Sequence, residues 1–103
     1  MAVSALKTDY VPYTTLNNRI SYWRRNGVVG VRLTTDNTIL TSSGVFLGTL
    51  PVGFRPSIDC DFAGTGLGGS ANVFFRVATN GEVHGYSNAN TQYWSGTFSF
   101  TPL

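Results

Sequence analysis

Arg19-Ile20-Ser21-Tyr22-Trp23-Arg24-Arg25-Asn26-Gly27-Val28-Val29-Gly30-Val31-Arg32-Leu33-Thr34 is the stretch that decides the fold class. Two runs of β-forming residues flank Asn26-Gly27. Asn-Gly is the strongest short signal of a two-residue hairpin, because the turn that matches strand twist needs positive φ at its centre. On the second arm Val29, Val31 and Leu33 fall on one face and Arg32 on the other, a period of two. The stretch therefore predicts two antiparallel strands, 19–25 and 28–34, with one face in a core.

The same grammar extends in both directions. Ala71 to Thr79 and Glu82 to Tyr86 predict a second hairpin at Asn80-Gly81. Thr38 to Thr41 and Val45 to Leu50 read as short strands around Ser42-Ser43-Gly44. Leu50-Pro51-Val52-Gly53-Phe54-Arg55-Pro56 follows as a rigid kinked connector, since each proline fixes its own φ and biases the preceding residue to extended geometry. Ser57 to Ala63 alternates, with Ile58, Cys60 and Phe62 inward and Asp59 and Asp61 outward. Gly64 to Ser70 reads as a loop, and Tyr93 to Thr101 as a closing strand with Trp94, Phe98 and Phe100 on one face. At the start, Asp9 to Thr15 reads as an edge strand, where Pro12 is tolerated. No segment longer than two turns has helical periodicity. About eight short strands with short connections predict an all-β, antiparallel β-sandwich of jelly-roll type over residues 9–103, with 1–8 as a tether.

Composition narrows the function classes. The chain has 103 residues, 12% of them charged, with 12 glycines and a net charge of +2. One small domain with polar but uncharged surfaces follows. Seven basic residues are dispersed and only Arg24-Arg25 are adjacent, which excludes a nucleic-acid footprint built on a basic stripe. Cys60 is the single cysteine, so no intrachain disulfide forms, and its place in the alternation predicts a buried, inert thiol. Met1 to Asn18 lacks the apolar core of a signal peptide, and no run approaches the length of a membrane span, which predicts assembly inside the cell and no membrane insertion.

Catalytic and metal patterns are thin. Asp59 and Asp61 lie two apart on one strand and share a face, so they do not flank a scissile glycosidic bond from opposite sides. A calcium site needs six to eight oxygens, and no dense acidic loop supplies them. His84 is the only histidine; one His and one Cys do not make a zinc centre, and no Gly-x-Ser-x-Gly accompanies it. Gly64-Thr65-Gly66 lacks the lysine and helix of a phosphate loop. The expectation is a non-enzyme without cofactor or metal. The informative residues are adjacent aromatic pairs, Tyr22-Trp23, Phe74-Phe75 and Tyr93-Trp94. Neighbours on a strand point to opposite faces, so one of each pair faces away from the core, where another subunit or a ligand covers it. Sugar rings stack on such aromatics while Asp, Asn, Arg and His take their hydroxyls.

Gly48-Thr49-Leu50-Pro51-Val52-Gly53-Phe54-Arg55-Pro56, the strand Val73-Phe74-Phe75-Arg76-Val77, the turn Thr79-Asn80-Gly81, and Trp94 with Phe98 and Phe100 together resemble the C-terminal head domain of phage tail-fibre and baseplate receptor-binding proteins, from phages of Gram-positive bacteria. The resemblance covers roughly residues 9–103. It implies a homotrimer of β-sandwiches on the virion, joined at its N-terminal side to other tail or baseplate proteins, that binds host cell-wall polysaccharide. Lactococcal-phage members hold sugar with a His and an Asp on the strand before the second hairpin, a Trp after it and an Arg near the C-terminus. This chain has Phe74 and Arg76 on that strand and no arginine after Arg76, so that ligand set does not transfer. Outward direction and chemistry instead select Asp59, Asp61, Arg76, His84, Tyr86 and Trp94 as saccharide-binding candidates. The alternatives are a purely structural trimerising virion module, a monomeric carbohydrate-binding module of a cell-wall enzyme, and a depolymerase fragment relying on Asp59, Asp61 or Glu82.

Overall fold

The computed structural model describes residues 10–66 and 72–102. Residues 1–8, the expected tether, and 67–70 of the expected glycine loop lie outside them. The strands are β1 (Val11–Thr15), β2 (Ile20–Arg25), β3 (Val28–Thr34), β4 (Val45–Thr49), β5 (Cys60–Ala63), β6 (Thr65–Gly66), β7 (Val73–Val77), β8 (Glu82–Ser87) and β9 (Trp94–Phe100). They form two antiparallel sheets, a five-stranded one ordered β1-β2-β3-β9-β6 and a four-stranded one ordered β4-β8-β7-β5. Pairings nest along the chain, β3 with β9, β4 with β8 and β5 with β7, in a jelly-roll-like sandwich.

Local chemistry sets both hairpins. Asn26 and Gly27 have φ of 52° and 77°, the mirror-image turn that two-residue hairpins prefer. The second hairpin is one residue longer than Asn-Gly alone implies. The Gly81 amide donates to the Ala78 carbonyl at 2.8 Å and the Ala78 amide to the Glu82 carbonyl at 3.0 Å, so Thr79, Asn80 and Gly81 make the loop and only Gly81 is left-handed, at φ 91°. A Cβ there would stand 2.5 Å from the Leu50 carbonyl and 2.6 Å from Arg55 Nε. Arg55 in turn ties the proline connector down by donating from Nε to that carbonyl at 2.8 Å. A turn from Pro51 to Phe54 (3.1 Å) and an edge-on contact of Phe54 with Tyr22 complete a rigid connector, as the prolines predict.

The core lies between the sheets. Ile20, Val29, Val31 and Leu33 of the larger sheet meet Val73, Phe75, Val77 and Val83 of the smaller, with Leu40, Leu47 and Leu50 beside them. Phe75 packs 5.8 Å from the Trp94 ring, and Phe62 stacks on Phe98 at 4.1 Å, so aromatic rings bridge the sheets. Each fully buried side chain of this size contributes about 1.5–3 kcal/mol. Among the described residues no helix is long and apolar enough to cross a membrane.

Three expectations need correction. Residues 38–41 are not a strand; only the bridges of Leu40 with Thr91 and Thr41 with Tyr86 form there. Ile58 is not inward but 69% exposed. Strand β5 starts at Cys60 because its partner β7 ends at Val77, and the chain beyond turns away into the hairpin, leaving 57–59 without a ladder. For the same reason Cys60, at the strand's start, is half-buried rather than buried, its thiol donating to the Ile58 carbonyl.

Candidate functional site

Strand alternation leaves two outer faces. Four of the six sequence-selected residues collect on that of the four-stranded sheet. Register places Phe46, His84, Arg76 and Asp61 in one row across β4, β8, β7 and β5, with Tyr86 and Phe74 in the next. Their polar groups are largely spent on one another. Arg76 grips Asp61 with two bonds, Nε to Oδ1 at 2.7 Å and Nη2 to Oδ2 at 2.9 Å. The pair holds the Asp61 carboxyl below its usual range, the Arg76 hydrogen bonds being the main cause, and raises Arg76. Phe74 and Tyr86 stack on each other at 4.7 Å and 6°, so each covers a ring face that a sugar would need. His84 meets the Phe46 ring edge-on and lies 3.9 Å from Glu82. Phe46 remains 51% exposed.

The other two candidates fall elsewhere. Asp59 is exposed but accepts the Thr79 amide at 3.0 Å, holding the β7–β8 hairpin against the start of β5. Trp94 is corrected outright: it is 1% exposed and its indole N–H donates to the Thr38 carbonyl at 2.8 Å. It shares its face with Phe98 and Phe100, and that face is the core. The pair argument itself holds, because Tyr93 is exposed beside Trp94 and Phe74 beside the fully buried Phe75.

The opposite outer face, on the five-stranded sheet, carries a groove of about 490 Å³ lined by Tyr13, Trp23, Arg32, Leu33, Thr65, Ser95, Gly96 and Thr97. That volume is within the range of small-ligand sites. Its geometry follows from register. Since Val29, Val31 and Leu33 point inward, Gly30 and Arg32 point out, opposite Trp23 and Ser21 on β2 and opposite Ser99 and Thr97 on β9. Trp23 lies across Gly30: a Cβ there would stand 2.1 Å from Cε2 of the indole. Gly30 is therefore buried although it faces outward. Tyr13, on edge strand β1, stacks against the indole with centroids 5.6 Å apart and planes 17° from parallel. Arg32 is exposed beside this pair, with no carboxylate partner among the described residues. Hydroxyls of Thr65, Ser95 and Thr97 complete the lining.

Sequence reasoning singled out Trp23 as one of an outward-facing pair and Arg32 as outward, but it did not join them to Tyr13 or Thr97. The missing signals are the β1–β2 pairing, whose register shifts between Val11 and Thr14, and the β3–β9 pairing, which connects residues more than sixty apart in the chain. The glycine between two valines at 29–31 was the local clue, since a strand glycine marks close approach of another group. Among the described residues no three His, Cys, Asp or Glu side chains come together in a way that holds a metal ion. No protein-family model matches the chain, and no curated protein matches it.

Proposed function

We propose that this domain is a saccharide-binding head without catalytic activity, the terminal adhesin of a phage tail or baseplate that recognises polysaccharide on the host cell surface. The groove on the five-stranded sheet is the observation that carries the reading. It combines a supported aromatic stack, a cation and a row of hydroxyls in one open, preformed cleft. That is the chemistry a pyranose requires, with C–H faces for the rings and hydroxyls for the polar groups. None of its lining residues is a carboxylate, and glycoside hydrolysis ordinarily uses a pair of them. Binding without turnover is the function such a lining supports.

The second outer face supports the oligomeric part of the proposal. Phe46 and Phe74 are exposed there beside Tyr86, and the Arg76 and Asp61 charges between them are already matched to each other. A second copy of the chain that covers Arg76 and Asp61 leaves neither of them as an unpaired charge. Three heads on one fibre then turn weak single-site affinity into adhesion through effective concentration.

Light scattering with and without host cell-wall polysaccharide tests both halves. A mass near three chains, with saturable polysaccharide binding that Trp23→Ala abolishes, is the expected result. A head that binds no host polysaccharide refutes the adhesin reading, and a monomer refutes the trimer.

A further inference from the structure

Among the described residues the carboxylates avoid the outer face of the five-stranded sheet. Of the four described acids, Asp59, Asp61 and Glu82 lie on or beside the four-stranded sheet, and Asp36 sits after β3 with Arg19. The outward residues of the five-stranded sheet include Arg25 and Arg32, several hydroxyls and no carboxylate. Arg25 lies over the Tyr10 ring, 5.5 Å from its centroid. Arg32 alone brings charge to the groove, and it does so directly across from Thr97 and next to the Tyr13–Trp23 stack.

A guanidinium is always charged, and its planar fork of donors matches a carboxylate or phosphate with two bonds. A neutral sugar uses only part of that fork. We infer that the groove selects an anionic saccharide: a carboxylate or phosphate substituent pairs with Arg32 while the ring lies against Trp23 and Tyr13 and its hydroxyls meet Thr97, Ser95 and Thr65. Arg32 is then the residue that sets specificity, and the aromatic stack supplies affinity that is indifferent to charge. This assignment rests on the saccharide reading of the groove.

The test is a titration of the full chain against four polymers: dextran and neutral mannan, phosphomannan and polygalacturonate. Phosphomannan or polygalacturonate is expected to bind at least tenfold more tightly than its neutral counterparts, and which of them binds tells phosphate from carboxylate. Arg32→Gln removes that tenfold preference, Arg32→Lys keeps part of it, and Arg25→Gln, on the same face outside the groove, keeps nearly all of it. Neutral polymers bound as tightly as anionic ones would overturn the inference while leaving the saccharide reading in place. So would an Arg32→Gln variant that keeps the preference. An equal loss in Arg25→Gln would also overturn it, by showing attraction to the basic chain as a whole. Binding to none of the four overturns the inference too, and the saccharide reading then stands or falls separately on titration with host polysaccharide.

Discussion

Gly30→Ala tests the groove at its floor. The added Cβ would stand 2.1 Å from Cε2, 2.3 Å from Cζ2 and 2.3 Å from Nε1 of Trp23, so the indole must lift off the strand. The backbone itself has no quarrel with alanine, because Gly30 is not among the residues with positive φ. Removing a glycine's freedom from the unfolded chain stabilises by about 0.4–1 kcal/mol. Losing the Tyr13–Trp23 stack costs about 0.5–1.5 kcal/mol. The two nearly cancel, and the net change is about 1 kcal/mol or less, a Tm shift of at most ~8 °C. The groove, however, loses its aromatic wall, and a loss of about 1.4 kcal/mol in binding is already tenfold in affinity. Iodide quenching reads the indole directly, because Trp94 is 1% exposed and Trp23 is the only other tryptophan. The expected result is a folded variant with more quenchable fluorescence and at least tenfold weaker saccharide binding. Unchanged quenching would refute the placement of the ring on Gly30. Destabilisation beyond about 3 kcal/mol, the scale of a core truncation, would show that Trp23 is a packing residue rather than a surface platform.

Other changes separate core from surface. Trp94→Phe removes the indole bond to the half-buried Thr38 carbonyl and part of a core ring, so urea denaturation is expected to show a loss of about 2–4 kcal/mol with saccharide affinity of the folded fraction unchanged. Gly81→Ala meets both a left-handed φ and the Leu50 carbonyl, and is expected to lower stability by more than about 1 kcal/mol, with a matching fall in Tm. Asp61 has its folded pKa held below the unfolded value, so its contribution is present above about pH 4 and fades as pH falls through the folded value; Asp61→Asn is expected to flatten the acid limb of a stability-versus-pH curve only slightly, because the pair is half-exposed. Phe46→Glu adds a charge to the aromatic patch that the proposed trimer would cover, and light scattering is expected to show single chains that keep groove binding.

Legibility followed the range of the interaction. The hairpin at Asn26-Gly27 was readable, as was the place of the one at Asn80-Gly81 though not its extra loop residue Thr79, because turn chemistry acts over a few residues. The inward set Val29, Val31 and Leu33 was readable because alternation has a fixed period. Ile58 misled because alternation continues in sequence past the point where β7 stops offering a partner. Asp61 and Arg76 were correctly placed outward, but nothing local shows that they face each other across β5 and β7 and satisfy one another. Trp94 was selected for sugar although its spacing from Phe98 and Phe100 already put it on the core face.

By itself the sequence determined an all-β chain of antiparallel hairpins, which residues share a face, and that one member of each aromatic pair must look outward. Those are consequences of pleat and turn geometry, which a chain carries locally. Only the tertiary structure decided which outward residues become neighbours. Tyr13, Trp23, Arg32 and Thr97 form a groove because β1, β2, β3 and β9 lie side by side in one register, and Asp61 lies opposite Arg76 because β5 pairs with β7. Register between distant strands is set by the packing of the whole core, since sliding a strand by one residue would carry its buried side chains to the wrong face.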